Sequence, residues 1–266
     1  MVRWEDLQYV ADLDYIYKYT SAESGMLLLE NKTIHLNSPL KFNDPFDCHP
    51  LLIKISEQFI YDSINTRENR NVVSARGFRN SPSYLNFLKN CAEIQTKAIT
   101  KDVLPKVKIS CFSEEKNNLL MWSHYAKNHT GVCFEFDVKK MINYFGTLSE
   151  TTQVSVGVFL KVQYDQVRSS YLFESSNDPW PLIMWLKTKS IDWEYEKEIR
   201  LVFLKEEESL LPIPSELLSR IYLGNQISKD YQSEVVRLCK KNFPTTDIFK
   251  MHLSAEEFKL FEKEHN

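Results

Sequence analysis

The stretch Trp193-Glu194-Tyr195-Glu196-Lys197-Glu198-Ile199-Arg200 runs directly into Leu201-Val202-Phe203-Leu204. Read as a strand, its period of two puts Glu194, Glu196, Glu198 and Arg200 on one face. Like charges so close repel by ~0.2–1 kcal/mol per pair unless a cation, a ligand or solvent relieves them. The face is therefore either a solvated charge run or part of a site.

Outward from that strand, other segments alternate in the same way. Tyr15-Ile16-Tyr17-Lys18-Tyr19 predicts an opening strand, followed by a short helix over residues 26–29 capped by Ser21 or Ser24, then an extended piece at 32–36. Residues 37–47 are dense in turn formers. Val107, Ile109 and Cys111 alternate with lysines and Ser110, and Val132, Phe134 and Phe136 alternate with Cys133, Glu135 and Asp137.

A helix through Met121, Trp122, Tyr125, Ala126 and His129, capped by Asn117 or Asn118, ends at Gly131. Further strands are expected at 154–163, 197–204, 220–223 and 247–252. Helices are expected at 138–144, 181–190 and 228–241, and Ser254-Ala255-Glu256-Glu257 reads as the capping-box start of a last one. Residues 54–104 read as helices without a clear strand. The economical architecture is one α+β domain over residues 1–266 with a helical insertion at about 54–104.

The chain has 266 residues, 43% of them hydrophobic and 13% aromatic, which is ample for a sizeable core. Six glycines and neither G-x-G-x-x-G nor G-x-x-x-x-G-K argue against the common phosphate loops. Five scattered cysteines, never in a C-x-x-C pair, fit reduced thiols better than a disulfide framework. His124 and His129 point to different sides of a helix, so no metal is expected. With charges at the start and no long apolar run, the chain reads as cytoplasmic, with no membrane partner. A net charge of −3 leaves no global footprint for nucleic acid. A local basic patch remains open in the insertion, where Arg67, Arg70, Arg76, Arg79, Lys89, Lys97 and Lys101 fall; a solvated helical face is the plainer reading.

Four segments carry more functional groups than packing requires: Tyr17-Lys18-Tyr19, Phe42-Asn43-Asp44-Pro45-Phe46-Asp47, Ser113 with residues 121–131, and the carboxylate strand. Each has a plain reading too. Trp122 and Tyr125 at i, i+3 share a helix face and suit a core as well as a stacking platform. His129 suits a helix end, and Asn43, Asp44 and Asp47 a loop that bonds itself.

Taken in order with Cys111-Phe112-Ser113, Met121-Trp122-x-x-Tyr125-Ala126-x-x-His129-x-Gly131-Val132-Cys133 and Trp193-x-x-Glu196-x-Glu198-Ile199-Arg200, these segments resemble a bacterial family catalogued as domain of unknown function 2971, across residues 17–223. A more distant resemblance is to ADP-ribosyltransferases, including toxins that modify DNA bases, although no His-Gly or Arg-Gly pair accompanies the first strand. It implies a split mixed or antiparallel β core and NAD as substrate. The acceptor would be protein, RNA or DNA, with specificity in the insertion, and a toxin or phage-defence role would bring a neutralising partner protein.

Breaking the nicotinamide–ribose bond passes through an oxocarbenium-like state that a carboxylate stabilises. The resemblance assigns that role to Glu198. It places Glu196 and Tyr125 beside Glu198, and Tyr17, Lys18, Tyr19, Asn43, Asp44, Ser113, Trp122, His129 and Arg200 around the cofactor. Two other readings are open. One is a non-catalytic module that binds a nucleotide or nucleic acid through Trp122, Tyr125 and basic residues of the insertion. The other is a metal-dependent nuclease built on Asp44, Asp47, Glu196 and Glu198.

Overall fold

A computed structural model describes residues 9–64, 81–151, 157–175, 178–204 and 210–265, with the side chains of 146–151 left out. Arg67, Arg70, Arg76, Arg79, Val154 and Val156 lie outside the described residues. The architecture is mixed α+β around an eight-stranded sheet. Its strands, in chain order, are β1 (Tyr15–Thr20), β2 (Val107–Ser113), β3 (Val132–Asp137), β4 (Val158–Lys161), β5 (Glu198–Leu204), β6 (Leu218–Leu223), β7 (Asp247–Leu253) and β8 (Leu260–Glu264). They lie in the order β8-β7-β6-β3-β1-β2-β5-β4, antiparallel except for the parallel pair β6–β7.

The helices are α1 (Ala22–Asn31), α2 (Glu57–Ile64), α3 (Pro82–Val103), α4 (Leu119–His124), α5 (Val138–Thr151), α6 (Trp180–Lys187) and α7 (Lys229–Asn242). Helix α1 starts where the Ser21 hydroxyl accepts the Ser24 N–H at 3.2 Å. It ends at Lys32, which is left-handed at φ 52°. Leu28 and Leu29 of α1, with Val235 and Leu238 of α7, cover Val132, Phe134 and Ile221 on one sheet face. Met121 and Trp122 of α4 cover Tyr19, Cys133 and Tyr222 on the other. With both faces covered, β3 is buried from Val132 to Phe136, so Cys133 and Glu135 lie inside rather than in solvent.

Strand β1 matches β3 at six positions, yet meets β2 at one, Tyr17↔Ser113. Beyond that bridge the strands part, and Asn37 takes up the edge of β2 by exchanging two backbone hydrogen bonds with Ile109, at 2.7 and 2.8 Å. The sheet is therefore continuous but parted at its middle.

Several expectations are corrected. Residues Ile191–Glu196 form a 3₁₀ helix, and Lys197 is left-handed at φ 43°, so only Glu198 and Arg200 of the charged series lie on a strand. Glu194 is exposed. Helix α4 stops at His124, because Lys127, Asn128 and His129 are all left-handed. Helix α6 stops at Lys187, and Thr188–Ser190 becomes a strand parallel to Gln163–Asp165. The insertion opens with a strand, Ile53–Ile55, paired with Tyr171–Phe173. Ser254 does accept the N–H groups of Glu256 and Glu257. The Lys259 carbonyl then accepts the Ser254 N–H at 3.0 Å, and the turn leads into β8 instead of a helix.

Candidate functional site

A cavity of about 800 Å³ opens where β1 and β2 part, a size usual for small-molecule sites. Tyr17, Lys18 and Tyr19 enter it from β1, Cys111 and Phe112 from β2, and Phe42 and Asn43 from the Asn-Asp-Pro loop. Tyr125 projects from just beyond α4, while Asp47, Lys189, Glu196 and Glu198 form the acidic floor.

The floor is a buried ion network. Arg200, fully buried on β5, grips Asp47 with two N–H groups, Nη1 to Oδ1 at 2.9 Å and Nη2 to Oδ2 at 2.5 Å. It also donates to Glu198 from Nε at 2.9 Å and Nη2 at 3.1 Å, and from Nη1 to the Leu186 carbonyl at 2.8 Å. This planar fork is what lets one cation serve two carboxylates. Lys189 Nζ reaches Glu196 Oε2 at 2.5 Å and Glu198 Oε2 at 3.2 Å. The other Glu196 oxygen accepts the Tyr125 hydroxyl.

Local backbone chemistry aims these groups. The left-handed Lys197 turns the chain between the two glutamates, its N–H donating to the Glu194 carbonyl at 3.1 Å. Ser113 Oγ, at the single β1–β2 bridge, donates to the Glu196 carbonyl at 2.7 Å. Asn118 holds the Tyr195 carbonyl at 2.7 Å. Glu198 N–H donates to the Tyr164 hydroxyl at 2.8 Å.

The two floor glutamates titrate in opposite directions. Burial pushes the Glu198 carboxyl up, but the Arg200 guanidinium and the Lys189 ammonium outweigh it and hold Glu198 well below the ordinary carboxylate range. Burial also raises Glu196; Lys189 opposes the rise, the negative charge of Glu198 adds to it, and the net direction is up. Burial and the neighbouring Glu196 raise Tyr125 as well, so its hydroxyl stays protonated. Two carboxylates whose environments drive them apart can divide acid–base work between them.

Of the residues singled out in the sequence, Tyr17, Lys18, Tyr19, Asn43, Tyr125, Glu196 and Glu198 line the cavity. Five do not. Trp122 is wholly buried with its indole N–H on the Lys116 carbonyl at 2.8 Å, so it is core and no stacking platform. His129 lies parallel to the Trp122 ring, 6.3 Å between centroids, and backs it. Arg200 is sealed beneath the floor. Ser113 is a buried brace, and Asp44 is a buried loop residue accepting the Phe46 N–H at 2.8 Å. Sequence reasoning missed Lys189, His35 and Lys41 as cavity residues. For Lys189 a signal existed: a lysine just before two glutamates that would otherwise repel.

Fold and cavity together define a mixed α+β protein with an acid-floored cleft in a parted sheet. Residues 121–201 match a family model described as protein of unknown function, DUF2971, which supports the resemblance on that stretch. The match takes in α4 from Met121 onward, Tyr125, β3 and the floor from Lys189 to Arg200. No curated protein and no solved structure matches the chain. Among the described residues no helix is long and apolar enough to cross a membrane.

Proposed function

We propose that the cleft binds NAD and breaks its nicotinamide–ribose bond, passing ADP-ribose to a macromolecular acceptor or to water. The observation that carries this reading is the floor pair: Glu198 kept anionic and Glu196 raised, side by side under a cavity of about 800 Å³. As the N–C1′ bond breaks, its electron pair leaves with nicotinamide, and Glu198 offsets the positive charge that grows on the ribose. The acceptor oxygen or nitrogen then bonds to C1′ and its proton passes to Glu196, which Tyr125 and Lys189 hold in place. Rings of Tyr17, Tyr19, Phe42 and Tyr125 offer surfaces for nicotinamide or adenine.

The test is to incubate the protein and Glu196→Gln with adenylate-labelled NAD and a cell extract. Free nicotinamide and label on protein, RNA and DNA are then followed. Release by the parent protein, lowered about 10²–10⁴-fold in the variant, is expected for loss of a general base. No release in any fraction sinks the enzymatic reading. One observation favours a second reading, a non-catalytic nucleotide-binding module: Arg200, Lys189 and Tyr125 between them already engage every oxygen of Glu196 and Glu198. Under it NAD binds unchanged to Glu196→Gln and is never consumed.

A further inference from the structure

The cleft also carries basic groups beside its carboxylate floor. Lys18 points from β1 into the gap where β1 and β2 part. It is half-buried, and two of its three N–H groups are used, on Ser110 Oγ at 2.8 Å and the Cys111 carbonyl at 3.2 Å. One donor is left for the cavity. Across the gap, the two Asn37–Ile109 backbone bonds tie down the segment that carries His35 and Lys41, both of which line the same cavity.

The acids that line this cavity are Asp47, Glu196 and Glu198, and all three are engaged by Lys189 or Arg200. Among the described residues neither Lys18 nor Lys41 forms an ion pair with a carboxylate. Burial pushes the Lys18 ammonium below its usual range, and Cys111 and the more distant charge of Glu198 offset that only in part, with the Phe112 ring 5.2 Å away. An anion at contact distance would supply the missing charge.

We infer that Lys18, Lys41 and His35 form an anion subsite that takes the diphosphate of a dinucleotide. The inference rests on the proposed NAD reading for the identity of the whole ligand, but the subsite stands or falls by itself. Two cations, both close enough to act on His35, match a group carrying two negative charges, and the rings of Tyr17, Tyr19 and Phe42 line the same cavity. Burial, then the positive fields of Lys18 and Lys41, keep the His35 imidazole below its usual range, against a hydrogen bond that the ring gives the Asn37 side chain. In the free protein His35 is thus a neutral ring, and an arriving anion favours its protonation, which adds a second N–H to bind it.

The probe is inorganic pyrophosphate, titrated into the full chain by calorimetry and by ³¹P NMR at low salt. The parent protein is expected to bind it in one site, about tenfold more weakly in Lys18→Met and several-fold more weakly in Lys41→Ala. Lys139→Ala, an exposed lysine far along the chain on α5, should bind as the parent does. Lys41 is exposed, so its substitution keeps the test informative even where Lys18→Met fails to fold. No pyrophosphate binding by the parent, or binding indifferent to Lys41→Ala in a folded protein, overturns the subsite. Pyrophosphate bound as expected by a protein that releases no nicotinamide upholds the subsite and removes the enzymatic reading instead.

Discussion

At the residue scale the floor glutamates make opposite predictions. Glu198 titrates below its ordinary range in the fold. Its contribution to stability is therefore fully present above the unfolded value, about 4.3, and is lost as pH falls through that value toward the folded one. Arg200→Met removes the cation behind this and leaves Asp47 and Glu198 buried with too little positive charge. It should cost ~3–5 kcal/mol near pH 7, with the gap to the parent narrowing on acidification. Urea midpoints at pH 7 and pH 3 check it, and a gap independent of pH refutes the assignment. Glu196 titrates above its ordinary range, so the fold favours its neutral form and the stability this gives is lost as pH rises through the folded value. Gln removes the charge but turns one of the two accepting oxygens into an N–H₂ that cannot accept from Lys189 or Tyr125. Glu196→Gln is therefore expected to lose ~1–3 kcal/mol and to stay folded at pH 8, and its urea midpoint separates any loss of turnover from loss of fold.

At the element scale, two close backbone approaches hold the turn after α4. A Cβ on Gly224 would sit 2.1 Å from the His129 carbonyl oxygen, and one on Gly131 would sit 2.2 Å from the Thr20 carbonyl oxygen. Both oxygens belong to backbone that other hydrogen bonds fix; the His129 carbonyl also accepts the Gln226 N–H at 3.1 Å. Gly224→Ala should therefore cost ~1–3 kcal/mol, the usual range for forced overpacking, read as a drop in urea midpoint. An unchanged midpoint would mean the turn yields freely. The same turn marks how far the sequence could be read. β1, β2, β3 and β5 were legible because their apolar residues alternate or run together between turn formers. The 3₁₀ helix over Ile191–Glu196 was not, since its polar–apolar alternation imitates a strand and the break is the conformation of one ordinary lysine, Lys197. Nor was the end of α6, where Thr188–Ser190 becomes a strand only because Tyr164 and its neighbours lie alongside. Long-range partners settled both, and the convergence of Asp47, Lys189 and Arg200 on one floor is likewise a product of the fold that no local pattern carries.

At the scale of the whole molecule, the parted sheet has a thermodynamic consequence. Between β1 and β2 the strands meet at one bridge, Tyr17↔Ser113, helped by the reach of Lys18 to Ser110 and Cys111. A shared core that packs Phe112 on Phe136 joins the half that holds β1, β3, β6, β7 and β8 to the half that holds β2, β4 and β5. A dinucleotide in the cleft would touch both, with Lys18, Tyr17 and Tyr19 from the first half and Glu196 and Glu198 from the second. A ligand that binds only the joined, folded state stabilises it by mass action, ~2.7 kcal/mol at one hundred times its Kd. In a protein of this size each kcal/mol shifts Tm by about 2–4 °C, so Glu196→Gln, which would bind NAD without consuming it, should melt about 5–10 °C higher at that concentration. Pyrophosphate, which lacks the sugars and bases, should bind more weakly and so give a smaller shift at the same concentration. Amide exchange along β1 and β2 separates bridging from simple binding: protection gained on both strands with NAD supports a ligand that spans the gap, whereas a rise in Tm with protection confined to β1 means that the ligand sits on one half and the floor glutamates never meet it.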